Sequence, residues 1–146
     1  MAKRHKIANC ACLNLRAAAR SITQYYDREL RRVGLRSTQF NLLAAVQKVG
    51  PVSMTNLAGA LGMDRTTLNR DLKPLRRDGL VTIRKGRDRR VRLISLTGMG
   101  RERLEAAYPV WRGLQDEVHG CVGKKRWKSL MKELSHTTKA VQKASC

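Results

Sequence analysis

The chain has 146 residues, enough for one domain with a modest core, and a formal net charge of +20 from 31 Lys+Arg against 11 Asp+Glu. So large a basic excess points to a polyanionic partner, either nucleic acid or an anionic membrane surface, and says little about fold. No apolar run reaches the roughly eighteen residues a bilayer span needs, the opening "MAKRHKIANC" is too charged for a secretory leader, and histidine is represented by His5, His119 and His136 alone.

A cytoplasmic protein with four largely reduced cysteines is therefore expected, with no membrane partner, no cofactor and no resident metal. An enzyme would need a nucleophile or base, and the cysteines are the sole candidates.

Along residues 7–33, Ile7, Ala11, Leu15, Ala18, Ile22, Tyr26, Leu30 and Val33 recur at steps of three and four. Such spacing predicts one apolar stripe on a long helix, with Gly34 at its stop. Ser37 is a candidate cap for a helix carrying Phe40, Leu43, Ala44 and Val46, ending at Gly50-Pro51. Ser53 is a candidate cap for a short helix through Leu57, Ala58 and Leu61, closed by Gly62. Asp64 can cap a third, with Leu68, Leu72 and Leu75 inward and Gly79 at its end.

"LVTIRKG" and "RRVRLISL" then read as a β-hairpin around Gly86. Val81 and Ile83 are expected to pair with Val91 and Leu93 against the core, leaving Arg84, Arg90 and Arg92 on the other face. From Thr97 a helical pattern runs through Leu104, Ala107, Trp111, Leu114, Val118 and Cys121 with seam-like spacing. A last helix places Trp127, Leu130, Met131, Leu134, Thr138 and Val141 on one side. Pro74 and Pro109 fall inside helical patterns, where each removes a backbone hydrogen bond, so kinks are expected.

The fold class is thus mainly α with a small β-hairpin wing: a winged helix-turn-helix core over residues 37–96, flanked by terminal helices over 5–35 and 97–142, in a single domain over 1–146. The terminal stripes are longer than the middle can cover, which predicts a homodimer built on them.

The two short helices form a helix-turn-helix, "LAGALGMDRTTLNRDLKPLRRDGLV". With its leucines inward, the second helix shows Arg65, Thr66, Thr67, Asn69, Arg70 and Lys73. Arginine suits guanine, asparagine suits adenine, and threonine offers a hydroxyl or a methyl. Arg76 and Arg77, a turn further on, suit phosphate. The alternative for such a face is a solvated basic surface.

The hairpin tip, with Lys85, Arg87, Asp88, Arg89 and Arg90, concentrates like charge that is unfavourable in isolation and favourable beside a duplex. Narrow minor grooves attract inserted arginine. Asp88 is expected to tie down a neighbouring arginine and orient the tip, its ion pair contributing only about 0–1 kcal/mol.

These features resemble the MarR-type winged-helix regulators. The likeness rests on that helix-turn-helix and on a wing signature D-x-R, five residues, L-T, here Asp88, Arg90, Leu96 and Thr97. It implies a dimer on pseudo-palindromic double-stranded DNA, recognition helices in major grooves and wing arginines in minor grooves. It also implies a repressor or activator, with repression preferred, whose affinity changes with a small molecule or an oxidant. Arg90 takes the wing-arginine role by direct match. The peroxide-sensing branch implies a reactive thiol early in the first helix and a second near the last helix, positions resembled by Cys12 and Cys121, with Tyr26 resembling an assisting tyrosine. Arg16 and Ser37 stand where that branch has further tyrosines.

Cys10 and Cys12 also admit two other readings, packed small residues or an incomplete metal pair, and Arg16 is placed to favour a Cys12 thiolate. Cys146 is terminal. Tyr25, Tyr26, Tyr108 and Trp111 are the candidates for lining an effector pocket, with core packing as the alternative. A non-specific, architectural or RNA-associated binder is the rival function.

Overall fold

The computed structural model describes residues 7–144; His5 and Cys146 lie outside them. The chain forms two compact units, Met1–Val110 and Trp111–Cys146.

The first unit opens with α1, Ala11–Leu30, which runs into a 3-10 turn over Arg31–Val33 and stops at Gly34 in the left-handed region (φ 72°). Glycine meets that conformation without a steric penalty. Room there is short as well, because the Arg103 guanidinium lies against Gly34 where a Cβ would stand. Tyr26 and Leu30, at the end of the predicted stripe, are buried; Leu15, Ile22 and Ile7 are exposed, the last at 80 %.

Ser37 does not cap α2 (Ser37–Val49) but is its first residue, following the cap position Arg36. The Arg36 N–H donates to Gln39 Oε1 (2.9 Å), while the Ser37 N–H and hydroxyl both donate to Asp27 Oδ1 at 2.7 Å. A carboxylate from α1 therefore satisfies an orphan N–H of α2 and fixes the two helices together. A cap supplied from ten residues away leaves no local signature.

The other two caps are local and as expected. Ser53 Oγ accepts the Asn56 N–H at the start of α3 (Met54–Leu61), and Asp64 accepts the Thr67 N–H at the start of α4 (Arg65–Arg77). Gly62 ends α3 with φ 63°, which makes the sharp turn between them. Leu57, Leu68, Leu72 and Leu75 are almost fully buried beside Leu42, Leu43 and Val46 of α2. Full burial of a leucine side chain contributes roughly 1.5–3 kcal/mol. α4 continues past Pro74 to Arg77.

The hairpin strands are β2, Val81–Lys85, and β3, Arg92–Leu96; a two-residue β1, Val52–Ser53, completes an antiparallel sheet of order β1-β3-β2. Here the expected register is corrected. Val81 pairs with Leu96 and Ile83 with Ile94, so Ile94 is buried, Leu93 sits opposite Arg84, and Val91 precedes the strand, exposed. Arg92 pairs with Lys85 at the open end of the ladder. Apolar residues occur on both parities of "RRVRLISL", and a shift of one residue exchanges the faces. Pairing of Val52 with Ile94 across β1 selects the even-numbered set.

Thr97 locks the sheet to the next helix. Its hydroxyl donates to the Gly79 carbonyl (2.6 Å) and accepts the Gly100 N–H (2.9 Å). α5 then runs Gly98–Val122 through Pro109. In its first-unit portion Leu104 and Ala107 are buried, Tyr108 meets Phe40 edge to face at 5.5 Å, and its hydroxyl reaches Gln47 at 3.1 Å.

In the second unit, Gly123 (φ 87°) separates α5 from α6, Lys124–Ala144. His119 and Trp127 pack edge to face across this turn at 5.6 Å. Leu130, Met131 and Val141 of the predicted α6 stripe are exposed. The first turn of α6 holds Lys124, Lys125 and Arg126 and no acid, so cations sit at the positive end of the helix dipole, an arrangement unfavourable by about 0.3–1 kcal/mol for each charge. Among the described residues, no helix is long and apolar enough to cross a membrane.

Candidate nucleic-acid interface

The interface is assembled in the first unit from α4 and the wing. Asp64 holds the start of α4 doubly: its Oδ1 accepts the Thr67 N–H (2.8 Å) and its Oδ2 the Thr67 hydroxyl (2.7 Å). These bonds, the backbone one foremost, hold the Asp64 carboxyl below its ordinary range. Thr67 is half-buried, and its hydroxyl proton is engaged in the cap.

Arg65, Thr66, Asn69, Arg70 and Lys73 are exposed, as the inward leucine spacing requires. The Arg70 guanidinium bonds its neighbour Asp71 (Nε–Oδ1 3.2 Å), and Arg77 bonds Asp78 (2.9 Å). Among the described ion pairs none involves Arg65, Lys73 or Arg76, which lie along one exposed face of α4.

At the wing tip, Asp88 acts differently from expectation. Its Oδ1 accepts the Arg90 backbone N–H (2.9 Å), and its carbonyl accepts the Val91 N–H (2.9 Å). The ion pairs described in the chain lie elsewhere. A carboxylate two residues before Arg90 shapes the turn through the backbone, while Arg87, Arg89 and Arg90 are exposed. The Gly86 N–H closes the loop onto the Val91 carbonyl at 2.8 Å.

A groove of about 840 Å³ is bounded by the segment around β1, the start of α4 and the wing. Arg65, Arg90 and Arg92 line it together with Val52 to Asn56. Basic residues 25 or more positions apart thus line a common space. Sequence reasoning had marked Arg65 and Arg90 separately but missed the groove and the part β1 plays in it, for which a two-residue strand gives no periodic signal.

The aromatics proposed for an effector pocket do not line this groove. Tyr26 is buried, its ring centroid 6.4 Å from that of Tyr25, and burial pushes its phenol up. Tyr25 carries the Arg28 guanidinium over its ring at 5.2 Å. Trp111 is half-buried in the second unit.

Cys10 is the cap position of α1, Cys12 lies in its first turn and Cys121 near the end of α5, and all three thiols are exposed. Among the described residues no group of three or more His, Cys, Asp or Glu side chains is arranged to hold a metal.

Comparison with known proteins agrees with this geometry. The model of the MarR family matches residues 33–91, the span from the 3-10 turn after α1 to the wing tip. A crystal structure of the M. tuberculosis transcriptional regulator MosR in complex with DNA is 41% identical, with a TM-score of 0.87 over 94% of this chain and 100% of that one. A second MosR crystal structure is 39% identical, with a TM-score of 0.82 over 97% of this chain and 100% of that one. YwoH of Bacillus subtilis, an uncharacterised HTH-type transcriptional regulator, is 30% identical over 88 residues, which make up 60% of this chain and 64% of that protein.

Proposed function

The chain belongs to the MarR family of transcriptional regulators, which are not enzymes, and on that premise we propose that it is a homodimeric, sequence-specific repressor acting in the cytoplasm on double-stranded DNA. The observation that carries this reading is the shared groove, where Arg65 of α4 and Arg90 of the wing present cations together. A helix in the major groove supplies base contacts from Arg65, Thr66, Asn69 and Arg70. The wing supplies Arg87, Arg89 and Arg90 to the adjacent minor groove, where their crowding is offset by phosphate charge. The exposed apolar side chains Leu15 and Ile22 of α1, and Leu130, Met131 and Val141 of α6, support assembly through the terminal helices.

Two symmetry-related reading heads require a pseudo-palindrome with half-sites about one helical turn, roughly 34 Å, apart. Selecting bound duplexes from a random pool tests the reading: recovery of an inverted repeat supports it, and recovery of unselected sequence favours the non-specific rival. Salt dependence gives a second check. Neutralising about eight phosphates gives a log–log slope near −7.

The effector we favour is an oxidant acting on Cys10, Cys12 or Cys121, because all three thiols face solvent in the single chain and oxidation follows exposure. Treatment with peroxide, mass spectrometry of the thiols and a DNA-binding assay test this together. An unchanged response in Cys12→Ser would remove Cys12 from the mechanism, and the same comparison applies to Cys10→Ser and Cys121→Ser.

A further inference from the structure

We propose that the lysine face of α6 is a second DNA-binding surface, one that grips the phosphate backbone of a duplex without reading its sequence. Lys124, Lys125, Lys128, Lys132, Lys139 and Lys143, with His136 in the gap, are all exposed. At 3.6 residues per turn they share about a third of the helix circumference, in a stripe about 28 Å long. Trp127, Leu130, Met131, Leu134 and Val141 occupy a separate arc. The sole acid of α6, Glu133, falls outside the stripe, and none of the ion pairs described holds one of these lysines.

A face kept for solubility intersperses both signs, and alternating charge at i,i+4 supports a helix. This face has one sign, with lysines repeating at i,i+4 (124/128, 128/132 and 139/143) and more basic charge crowding the helix N-terminus. Each of these choices opposes helix formation, and a polyanion laid along the stripe reverses them all. The choice of cation fits a backbone ligand. From Arg65 to Arg92 the sequence has nine arginines and two lysines, whereas α6 has six lysines and one arginine. Arginine forms the planar fork that reads a base edge, while lysine is a flexible point charge.

A membrane is the other polyanionic surface a basic amphipathic helix can meet, but it must receive the apolar face as well. The proposal rests on the dimer reading above, in which the partner occupies that face and leaves the lysines only charge to offer. A duplex is the partner that charge by itself holds.

The test uses the full-length protein and a random-sequence duplex, titrated by fluorescence anisotropy at several salt concentrations. In a Lys124→Gln, Lys128→Gln, Lys132→Gln, Lys139→Gln variant, affinity at moderate salt is expected to fall about tenfold or more. The log–log slope should become shallower by up to about 3.6 for each engaged protomer. The matching Lys→Arg variant, which keeps charge and helix propensity, should bind as the wild type does. Random-duplex affinity unchanged within about twofold in the Gln variant overturns the proposal. So does equal loss in the Arg variant, or loss of binding to phosphatidylglycerol vesicles with duplex binding retained. Failure of operator selection would instead count against the reading of α4 and the wing, and a monomer in ultracentrifugation against the dimer. Neither result substitutes for the random-duplex slope.

Discussion

The Asp88 carboxylate accepts the backbone N–H of Arg90 at 2.9 Å, so the one acid of the wing tip shapes the turn that presents the arginines. Charge and geometry then predict opposite signs for its removal. Deleting an anion beside phosphate raises affinity if net charge governs; loosening the turn lowers it if presentation governs. Asp88→Ala is expected to weaken operator binding about tenfold while leaving thermal stability within about 0.5 kcal/mol, as for an exposed site. An anisotropy titration with a melting curve distinguishes the two, and tighter binding would overturn the positioning role.

The strand register makes a sharper prediction about stability. Ile94 is fully buried between Val52 and Ile83, whereas its neighbour Leu93 lies on the opposite face across from Arg84. Ile94→Ala should destabilise the protein by about 2–5 kcal/mol. Leu93→Ala should lose about 1 kcal/mol or less. Urea denaturation of the two variants is sufficient, and a reversed order would mean the register is shifted by one residue.

Acid should act through the cap of α4. Hydrogen bonds from the Thr67 N–H and hydroxyl lower the Asp64 pKa in the folded state. The stabilisation is therefore complete above the unfolded carboxylate value of about 4 and is lost as pH falls through the lower folded value. Asp64→Ala should lower Tm at neutral pH, and its deficit relative to the wild type should close in acid below that point. Melting curves across this range check the sign.

Reading heads and backbone contacts should separate by sequence dependence. Asn69→Ala is expected to relax preference at one base pair of each half-site, by about 1–3 kcal/mol. Lys73→Ala and Arg90→Ala should weaken specific and random duplexes alike, each making the salt slope shallower by about 1 for each half-site. Affinities measured on a panel of single-base operator variants distinguish the classes. Uniform loss in Asn69→Ala would assign that side chain to the backbone.

The sequence by itself determined what depends on near neighbours. Apolar spacing over a few turns located the helices, and Ser53 and Asp64 announced the starts of α3 and α4 because a cap acts within three residues. Net charge pointed to a polyanionic partner, since summed charge does not depend on the path of the chain. Tertiary structure decided whatever required a choice between equal local options or a partner far along the chain. Ser37 could have capped its own helix, but packing of α1 beside α2 brought Asp27 to it. Leu93 and Ile94 were equally apolar, and pairing with β1 and β2 determined which faced the core. Arg65 and Arg90 came to share one groove only when the sheet folded back on α4. Propensity and periodicity extend a few residues along a chain, whereas register, long-range hydrogen bonds and converging charges are fixed by the packing that brings distant segments together.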